Sequence, residues 1–297
     1  MERPMTKQHI LGTGLNGLVG SKFVSDFSDR YLFDNLDLRD KQRPVDITQQ
    51  QQVESVIAQS AAKFLIHFAA FTNVTAAFAQ SGDKNGLCYQ VNVVGTKNIA
   101  QACQKFNKHL IHISTAYVFN GEKEGLYTEQ DPLSPIEWYG QTKAWAEEVV
   151  QSTPGLTWTI LRIDQPFRSD PFAKLDVAWK LIEGMRAGKI YPQFTDHYFG
   201  PTYIDDFAKV LDAVIRLNLT GLYHATSGEQ WTDFDFARSL AQQLHIDYQV
   251  EAGSLAKYLE TSQRPYQKNT ALSVDKLKSV LDFSLTPITT AMSHILA

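Results

Sequence analysis

The chain has 297 residues, of which 43% are hydrophobic and 20% are charged, a composition typical of a globular protein with a sizeable core. A formal net charge of −4 at pH 7 gives no electrostatic basis for nucleic-acid binding. The longest apolar run, residues 64–71, is too short to span a bilayer. We therefore expect a soluble protein with neither nucleic-acid nor membrane partners. With no signal peptide evident, a cytoplasmic location is the default expectation.

A glycine-rich turn follows the first apolar segment, residues 9–11, and precedes a predicted helix from Gly17 to Phe27. Glycine permits positive φ and close backbone approach, and a helix N-terminus offers free N–H groups to a phosphate. A strand, a G-x-G-x-x-G turn and a helix in this order predict a dinucleotide-binding site. The predicted cofactor contacts in the turn are Gly14, Leu15, Asn16, Gly17 and Leu18.

Two acidic residues extend this predicted site. Asp34 ends the next apolar run, 22 residues after Gly12, where a carboxylate would bind the adenosine ribose hydroxyls. Because such an acid would repel a 2′-phosphate, NAD(H) is favoured over NADP(H), although Arg39 is close enough to soften that preference. Asp46 follows a short predicted strand at Val45, and is either an adenine contact or a solvated turn residue.

Strands and helices alternate through the first half of the chain. Predicted strands cover residues 64–68, 109–113 and 158–163. Predicted helices cover 48–62, which begins with a Thr48/Gln51 capping box, 84–107, and a segment from about Tyr139. In the helix over 84–107 the predicted core positions are Val91, Val94, Ile99 and Cys103. This alternation predicts an α/β fold, a doubly wound (Rossmann) parallel sheet. Cys88 and Cys103 are interpreted as core residues, and no cluster has metal-ligand spacing, so no metal is expected.

The second half has shorter elements and more loop. Predicted helices cover residues 176–187, 205–218, 233–244 and 275–281, with short strands near Ile190 and over 222–224. We interpret residues 1–163 as the NAD(P)-binding domain, to which 199–220 return. Residues 164–297 are then mainly a smaller mixed α/β substrate-binding lobe, placed over the carboxyl ends of the strands.

Tyr139 and Lys143 are predicted to share one face of a helix, because residues four apart are neighbours there. A cation about 4 Å from a phenol, at an effective dielectric near 20, contributes about 4 kcal/mol, or about 3 pK units. That shift would make the Tyr139 hydroxyl a usable proton donor near neutral pH. Thr115, at the end of a buried strand, could hydrogen-bond a substrate oxygen or could simply close a turn.

Several motifs together resemble one family. They are Gly14-x-x-Gly17-x-x-Gly20, Ala69-Ala70-x-Thr72-x-Val74, Val91-Asn92-x-x-Gly95-Thr96, Ser114-Thr115-x-Tyr117-Val118-Phe119-x-Gly121, Tyr139-x-x-x-Lys143, Pro201-Thr202, Gly221-x-Tyr223-His224 and Arg264-Pro265 with Asn269 and Leu272. The chain resembles extended short-chain dehydrogenases/reductases, and among them most closely the dTDP-4-dehydrorhamnose reductases. The resemblance implies an NAD(P)-dependent reduction of a keto group on a nucleotide sugar.

The resemblance also implies roles for individual residues. Thr115, Tyr139 and Lys143 would form the catalytic set, with Tyr139 as the general acid. The cofactor site would contain or adjoin Gly14, Gly17, Gly20, Asp34, Asp46, Ala69, Ala70 and Asn92, although Asn92 could be mainly structural. Tyr139 and Lys143 would also contact the cofactor, with Lys143 holding its ribose. The candidate substrate contacts are Thr72, Thr115, Arg168, Lys174, Tyr198 and Arg264.

This sequence departs from the family pattern at two places. Ala116 stands where an aspartate usually follows the catalytic threonine, and Asp164 to Phe167 replace the aromatic loop after the Arg162 strand. Both departures leave the sugar and the base of the substrate open.

The sequence is also compatible with two other functions. Phe33 to Leu36 and His67 to Ala69 also look like the UDP-galactose 4-epimerase pattern, so an NAD-dependent epimerase or dehydratase is an alternative. A non-catalytic nucleotide-binding regulatory subunit is another. His67 and His112, on buried strands, are interpreted as core residues with satisfied hydrogen bonds. Residues 84–107 and 139–151 are candidate helices of a homodimer interface.

Overall fold

The computed structural model describes residues 7–38 and 44–295. Its strands are β1 Gln8–Thr13, β2 Tyr31–Leu36, β3 Phe64–His67, β4 His109–Thr115, β5 Trp158–Ile163, β6 Pro166–Phe167, β7 Gln193–Phe194, β8 Tyr198–Phe199, β9 Thr202–Tyr203, β10 Gly221–His224, β11 Trp231–Thr232 and β12 Ala252–Gly253. Its α-helices are α1 Gly20–Phe27, α2 Gln50–Gln59, α3 Val74–Phe78, α4 Leu87–Tyr89, α5 Thr96–Lys105, α6 Trp138–Ser152, α7 Val177–Arg186, α8 Ile204–Leu217, α9 Asp233–Gln243, α10 Leu255–Leu259, α11 Asp275–Lys278 and α12 Ile288–Ser293.

Six strands form the central sheet in the order β10-β5-β4-β3-β1-β2. β1 pairs in parallel with β2 and β3, and β3 pairs in parallel with β4. The middle strands are buried on both faces, which explains their unbroken apolar sequences. The predicted α/β class with a doubly wound parallel sheet is therefore confirmed. The strand order reverses between β1 and β3, and sheets of this kind bind ligands beyond the carboxyl ends of the strands at such a point.

The chain separates into two compact units. Unit 1 comprises Met1–Ile113, Thr142–Ile160 and Leu211–Gly221, and unit 2 comprises Ser114–Gln141, Leu161–Val210 and Leu222–Ala297. Unit 2 has its own apolar core, in which Phe167 and Phe199 pack with residues of α7, α9 and α12. The domain boundary at residue 163 stays a prediction. None of the helices within the described ranges is long and apolar enough to cross a membrane.

The predicted helix over 84–107 is interrupted by a π-helical segment, Gln90–Gly95, between α4 and α5. A π-turn adds a residue to the turn and so rotates the buried face. Asn92 and Val93 are buried as a result, whereas Val91 and Val94, predicted to lie in the core, are only partly buried. The core positions predicted beyond this segment, Ile99 and Cys103, are fully buried.

Three other local predictions differ from the structure. The Thr48 hydroxyl donates to Asp46 Oδ1 at 2.8 Å, so the predicted capping box does not form, and α2 begins at Gln50. Val45 is buried but lies in an irregular segment, not in a strand. The strand expected near Ile190 is β7, three residues later.

A buried carboxylate ties the start of β2 to α8 within unit 1. Asp212, 7% exposed, accepts a hydrogen bond from the Tyr31 hydroxyl at 2.7 Å, and Arg30 Nη1 lies 2.6 Å from its Oδ1. Burial, reinforced by this carboxylate, raises the pKa of Tyr31, so the hydroxyl stays protonated and donates. Removing the carboxylate would leave a buried hydroxyl without its acceptor.

We therefore expect Asp212→Ala to lower the free energy of unfolding by about 2 kcal/mol, measured by urea denaturation. Asp26→Ala is the matched control, because Asp26 is exposed and pairs with Lys22 on the surface of α1. The control should change stability by less than about 0.5 kcal/mol. Equal losses of unfolding free energy in the two variants would contradict a stabilising role for the buried contact.

Candidate active site

The glycine turn after β1 is shaped by a close backbone approach. Gly14 has φ of +67°, and a Cβ placed there would lie 3.0 Å from the backbone N of Ala69. At Gly20 a Cβ would lie 2.8 Å from Gly14 O. The turn is closed by Gly17 N, which donates to Gly14 O at 2.9 Å. α1 begins at Gly20 and not at Gly17, because residues 14–19 form the turn itself.

The other predicted cofactor contacts in the turn differ in exposure. Leu15 is buried at 2% exposure, Leu18 is partly buried, and Asn16 and Gly17 are exposed. Leu15 packs under Gly12, where a Cβ would lie 2.5 Å from the leucine side chain. Asn16 and Gly17 thus present the accessible part of the turn.

Asp34 lies within β2 and not at its end. Its side chain is 55% exposed and lies 3.5 Å from His9 Nδ1. The neighbouring Asn35 is the residue that reaches the turn, because its Oδ1 accepts from Leu15 N at 3.3 Å. Asn35 Nδ2 is buried and has no hydrogen-bond partner among the described residues. Asn35 was not predicted as a site residue, although it lies beside Asp34 in the segment Phe33 to Leu36 that looks like the epimerase pattern. Arg39 lies outside the described residues.

Asp46 closes a turn. Its Oδ1 accepts hydrogen bonds from Thr48 N at 2.9 Å and from the Thr48 hydroxyl at 2.8 Å. This arrangement corresponds to the turn alternative that the sequence left open.

A directional hydrogen-bond chain joins the end of β1 to β3 and α5. Ala69 N donates to Thr13 Oγ1 at 3.1 Å, and the Thr13 hydroxyl lies 2.7 Å from His67 Nδ1. His67 Nε2 lies 3.1 Å from Thr96 Oγ1, whose hydroxyl donates to Asn92 O at 2.6 Å. Because the Thr96 proton is used, His67 must donate from Nε2 and accept at Nδ1. His67 is therefore neutral and fully satisfied, in keeping with a pKa lowered by burial to about 3.

The Asn92 side chain makes hydrogen bonds to other parts of the protein. Its Oδ1 accepts from Phe71 N at 2.7 Å, and its Nδ2 donates to Thr142 Oγ1 at 2.9 Å. The side chain thereby ties the segment after β3 to α6. Ala69 and Ala70 lie in that segment and are partly buried, while Thr72 is exposed.

Thr115 ends β4 and is 7% exposed. Its Oγ1 accepts a hydrogen bond from Tyr117 N at 3.2 Å, which leaves the hydroxyl proton to be donated elsewhere. The turn-closing role and a substrate-facing role are thus compatible. Ala116, at the position of the usual aspartate, is fully buried.

Tyr139 lies in the first turn of α6 and is 8% exposed. Its ring meets that of Tyr117 edge to face, with centroids 5.8 Å apart. Glu137 caps the helix, because its carboxylate accepts from Tyr139 N at 2.9 Å and from Gly140 N at 2.6 Å. A Cβ at Gly140 would lie 2.1 Å from Tyr117 O, so this position requires glycine. Neither Glu137 nor Gly140 was predicted from the sequence.

Lys143, one helical turn after Tyr139, is 2% exposed. Its Nζ donates to Ile113 O at 2.8 Å and lies 3.2 Å from His112 Nε2. Burial lowers the pKa of this ammonium to about 8, and Glu147 partly offsets the effect. Lys143 is thus anchored to β4 two residues before Thr115.

The candidate substrate residues of unit 2 have different surroundings. Arg168, 4% exposed, makes two contacts with Asp170, at 3.0 Å from Nε and 2.6 Å from Nη2. The Arg264 guanidinium lies 4.4 Å from the centroid of the Tyr266 ring, and its Nη1 is buried with no partner in the described part of the chain. Tyr198 belongs to β8 and is partly buried, and Lys174 lies in the loop before α7.

Asp164 is a buried carboxyl that the sequence analysis noted only as a family departure. Its Oδ2 accepts from Gly200 N at 3.0 Å and from the Thr270 hydroxyl at 2.6 Å. Its Oδ1 is buried without a partner within residues 7–38 and 44–295. Burial raises the pKa of Asp164 to about 7, although the two hydrogen bonds act in the opposite direction.

Unit 2 also contains a cavity of about 260 Å³. It is lined by Gln165, Val177, Lys180, Leu181, Gln193, Phe199, Asp233 and Phe236. Four of these lining residues are polar and four are apolar. Across the described ranges, no three His, Cys, Asp or Glu residues are grouped as a metal site would require.

The strand order, with a glycine turn at its reversal point, defines a Rossmann-type α/β protein. The chain belongs to the RmlD substrate binding domain family, which it matches over residues 8–297. The family resemblance seen in the sequence motifs is thereby confirmed.

Named relatives cover nearly the whole chain. A dTDP-4-dehydrorhamnose reductase of Aggregatibacter actinomycetemcomitans is 28% identical over 97% of this chain and 98% of its own length. The probable low-salt glycan biosynthesis reductase Agl14 of Haloferax volcanii is 26% identical over 92% of each chain.

Solved structures share the fold. A dTDP-4-dehydrorhamnose reductase of Bacillus anthracis in complex with NADP superposes with a TM-score of 0.86 at 23% identity, covering 98% of this chain and 99% of that one. A UDP-glucose 4-epimerase of Thermus thermophilus in complex with NAD gives a TM-score of 0.80 at 21% identity, covering 97% of both chains.

Replacing Gly14 by alanine should destabilise unit 1 more than the same change at Gly82. Both residues have positive φ, +67° and +80°, but no described atom lies within 4 Å of a Cβ at Gly82. We expect Gly82→Ala to cost about 1 kcal/mol from backbone strain alone, and Gly14→Ala about 2 kcal/mol or more because its Cβ meets Ala69. Urea denaturation measures both. Equal costs would mean that the close approach is not a constraint.

Asp164 should make the stability depend on pH. The unfolded carboxyl ionises near its ordinary pKa of 3.8 and the folded one near 7, so the contribution of Asp164 to stability is fully present below pH 4 and is lost as the pH rises to about 7. Asp164→Asn removes this titration, and we expect it to gain about 1–3 kcal/mol relative to the wild type on going from pH 4 to pH 8. The exposed Asp247→Asn is the control. Parallel stability curves for wild type and Asp164→Asn would contradict the assignment.

Proposed function

We propose that this chain is an NAD(P)-dependent oxidoreductase that reduces a keto group of a nucleotide sugar, as its relatives named dTDP-4-dehydrorhamnose reductase would suggest. The observation that carries the proposal is the placement of Lys143. Its buried ammonium is anchored to the main chain of β4, and Tyr139 precedes it by one turn of the same helix. Thr115 ends the strand that anchors it.

The residues of unit 1 fit a dinucleotide. The turn at Gly14 and Gly20 leaves no room for side chains, so a pyrophosphate could approach the backbone amides before α1. Asn35 Nδ2, a buried donor without a partner in the described chain, suits a ligand oxygen. Asp34 is half exposed on β2, where its charge would oppose a 2′-phosphate, so we propose NAD(H) with NADP(H) as the competing cofactor.

The nicotinamide would supply a hydride to the carbonyl carbon of the sugar. Tyr139 would donate the proton to the carbonyl oxygen, and Thr115 would orient that oxygen through its hydroxyl. The Lys143 ammonium would lower the proton affinity of the Tyr139 phenol. Because the pKa of Lys143 is about 8, its side chain is protonated in most molecules at pH 7.

The substrate would be held by unit 2. The cavity beside Gln165 offers the side-chain amides of Gln165 and Gln193 to a polar part of the substrate, while the almost fully buried Phe199 and Phe236 form its apolar wall. Arg264, with a buried donor that no described residue satisfies, is the proposed phosphate or sugar contact. Arg168 is less suited to this role, because its guanidinium already binds Asp170.

The test is a Tyr139→Phe variant assayed with dTDP-4-dehydrorhamnose and either NADH or NADPH. Loss of the general acid should lower kcat by about 10²- to 10⁴-fold while the dissociation constant of the dinucleotide changes less than about threefold. Tyr191→Phe is the matched control, because Tyr191 is 88% exposed. It should retain wild-type kcat.

Wild-type turnover by Tyr139→Phe would refute the acid role. If the wild type shows no turnover with either cofactor, the proposed reductase activity is refuted. Purified protein that already carries NAD and interconverts nucleotide sugars would instead support the epimerase alternative.

A further inference from the structure

The Lys143 ammonium has a second polar partner besides the Ile113 carbonyl. His112 Nε2 lies 3.2 Å from Lys143 Nζ, and both residues are buried, at 1% and 2% exposure. An ammonium can only donate hydrogen bonds, so His112 Nε2 must accept. The ring is then neutral and carries its proton on Nδ1.

Within residues 7–38 and 44–295, that proton has no acceptor. His112 Nδ1 is buried and has no hydrogen-bond partner in the described portion of the chain. Buried polar groups without partners are rare in folded proteins, so each calls for an explanation. His67 is the instructive comparison, because its ring lies 5.3 Å away and both its nitrogens are satisfied by threonine hydroxyls. His112 thus presents its acceptor to Lys143 while its own donor remains unsatisfied.

We propose that His112 is a positioning residue for Lys143, whose unprotonated Nε2 holds the ammonium against β4 and favours its charged form. The proposal rests on the function proposed above for Lys143. With two N–H groups directed to Ile113 O and His112 Nε2, the orientation of the ammonium about its Cε–Nζ bond is set. The third N–H then has a defined direction.

The charge of Lys143 is sensitive to this contact. Burial lowers its pKa to about 8, and the nearby Glu147 and Cys88 act in the opposite direction. His67 and His112 face the ammonium from β3 and β4, and burial and the Lys143 charge keep the pKa of each well below its ordinary value, so both are neutral. Because the hydrogen bond that His112 Nε2 accepts is stronger from the charged ammonium than from the neutral amine, removing the acceptor should lower the pKa of Lys143 further.

The decisive comparison is His112→Met against His112→Gln. The two side chains have similar length, but only glutamine offers a strong acceptor near the position of Nε2. We expect the alkaline limb of kcat/KM to move to lower pH by about one unit in His112→Met and to stay within about 0.3 unit of wild type in His112→Gln. His109→Gln is the control, because His109 is buried on the same strand and contacts Thr159.

A second readout needs no turnover. The pH dependence of the Lys143 ¹³Cε resonance, assigned with a Lys143→Arg variant, reports the lysine pKa directly. It should move down in His112→Met and not in His112→Gln or His109→Gln. If His112→Met does not fold, His112→Asn replaces it, because asparagine is too short to reach the ammonium.

Several outcomes overturn the proposal: unchanged Lys143 titration in His112→Met, or equal shifts in the methionine and glutamine variants. If the resonance shifts as expected but the wild type reduces no keto sugar nucleotide, the positioning role stands and the proposed function fails. If the wild type reduces substrate and the resonance does not shift, the reverse holds.

Discussion

A positive charge buried between a helix and a strand is the constraint on which this structure depends. Lys143 extends from α6 to the Ile113 carbonyl of β4, and burial alone would favour its neutral form. A carbonyl and a neutral imidazole accept hydrogen bonds from the ammonium, and the nearby Glu147 and Cys88 oppose the effect of burial, so the pKa stays at about 8. The start of α6 can lie against the turn that follows β4 because Gly140 has no side chain where a Cβ would meet Tyr117 O.

The surroundings of this lysine are organised by groups that remain uncharged. His67 takes one tautomer because Thr13 and Thr96 define which nitrogen donates. That chain begins at the Ala69 amide, which lies close to Gly14, so it runs from the edge of the glycine turn into the interior of the sheet. In a buried region, neutral donors and acceptors of this kind give a unique arrangement without the desolvation cost of further charges.

Individual residues can depart from the family pattern even where the whole chain matches the family. The chain matches its family from residue 8 to residue 297, yet the aspartate expected after Thr115 is Ala116, and Asp164 occupies the loop after β5. Asp164 is buried, has one oxygen without a partner in the described chain, and ionises near pH 7. A chain can therefore match its family along its length while the polarity at individual buried positions departs from the family pattern.

The sequence by itself determined the sheet, the glycine turn and the Tyr139–Lys143 spacing, because continuous apolar runs, glycine spacing and helical periodicity are local properties. Only the tertiary structure decided that Asn35 reaches Leu15, that a π-turn buries Asn92, and that Lys143 contacts His112. Those pairs lie 20 to 31 residues apart or depend on one extra residue in a helical turn. A linear pattern specifies which residues face the interior, but their hydrogen-bond partners are set by how the strands and helices pack in three dimensions.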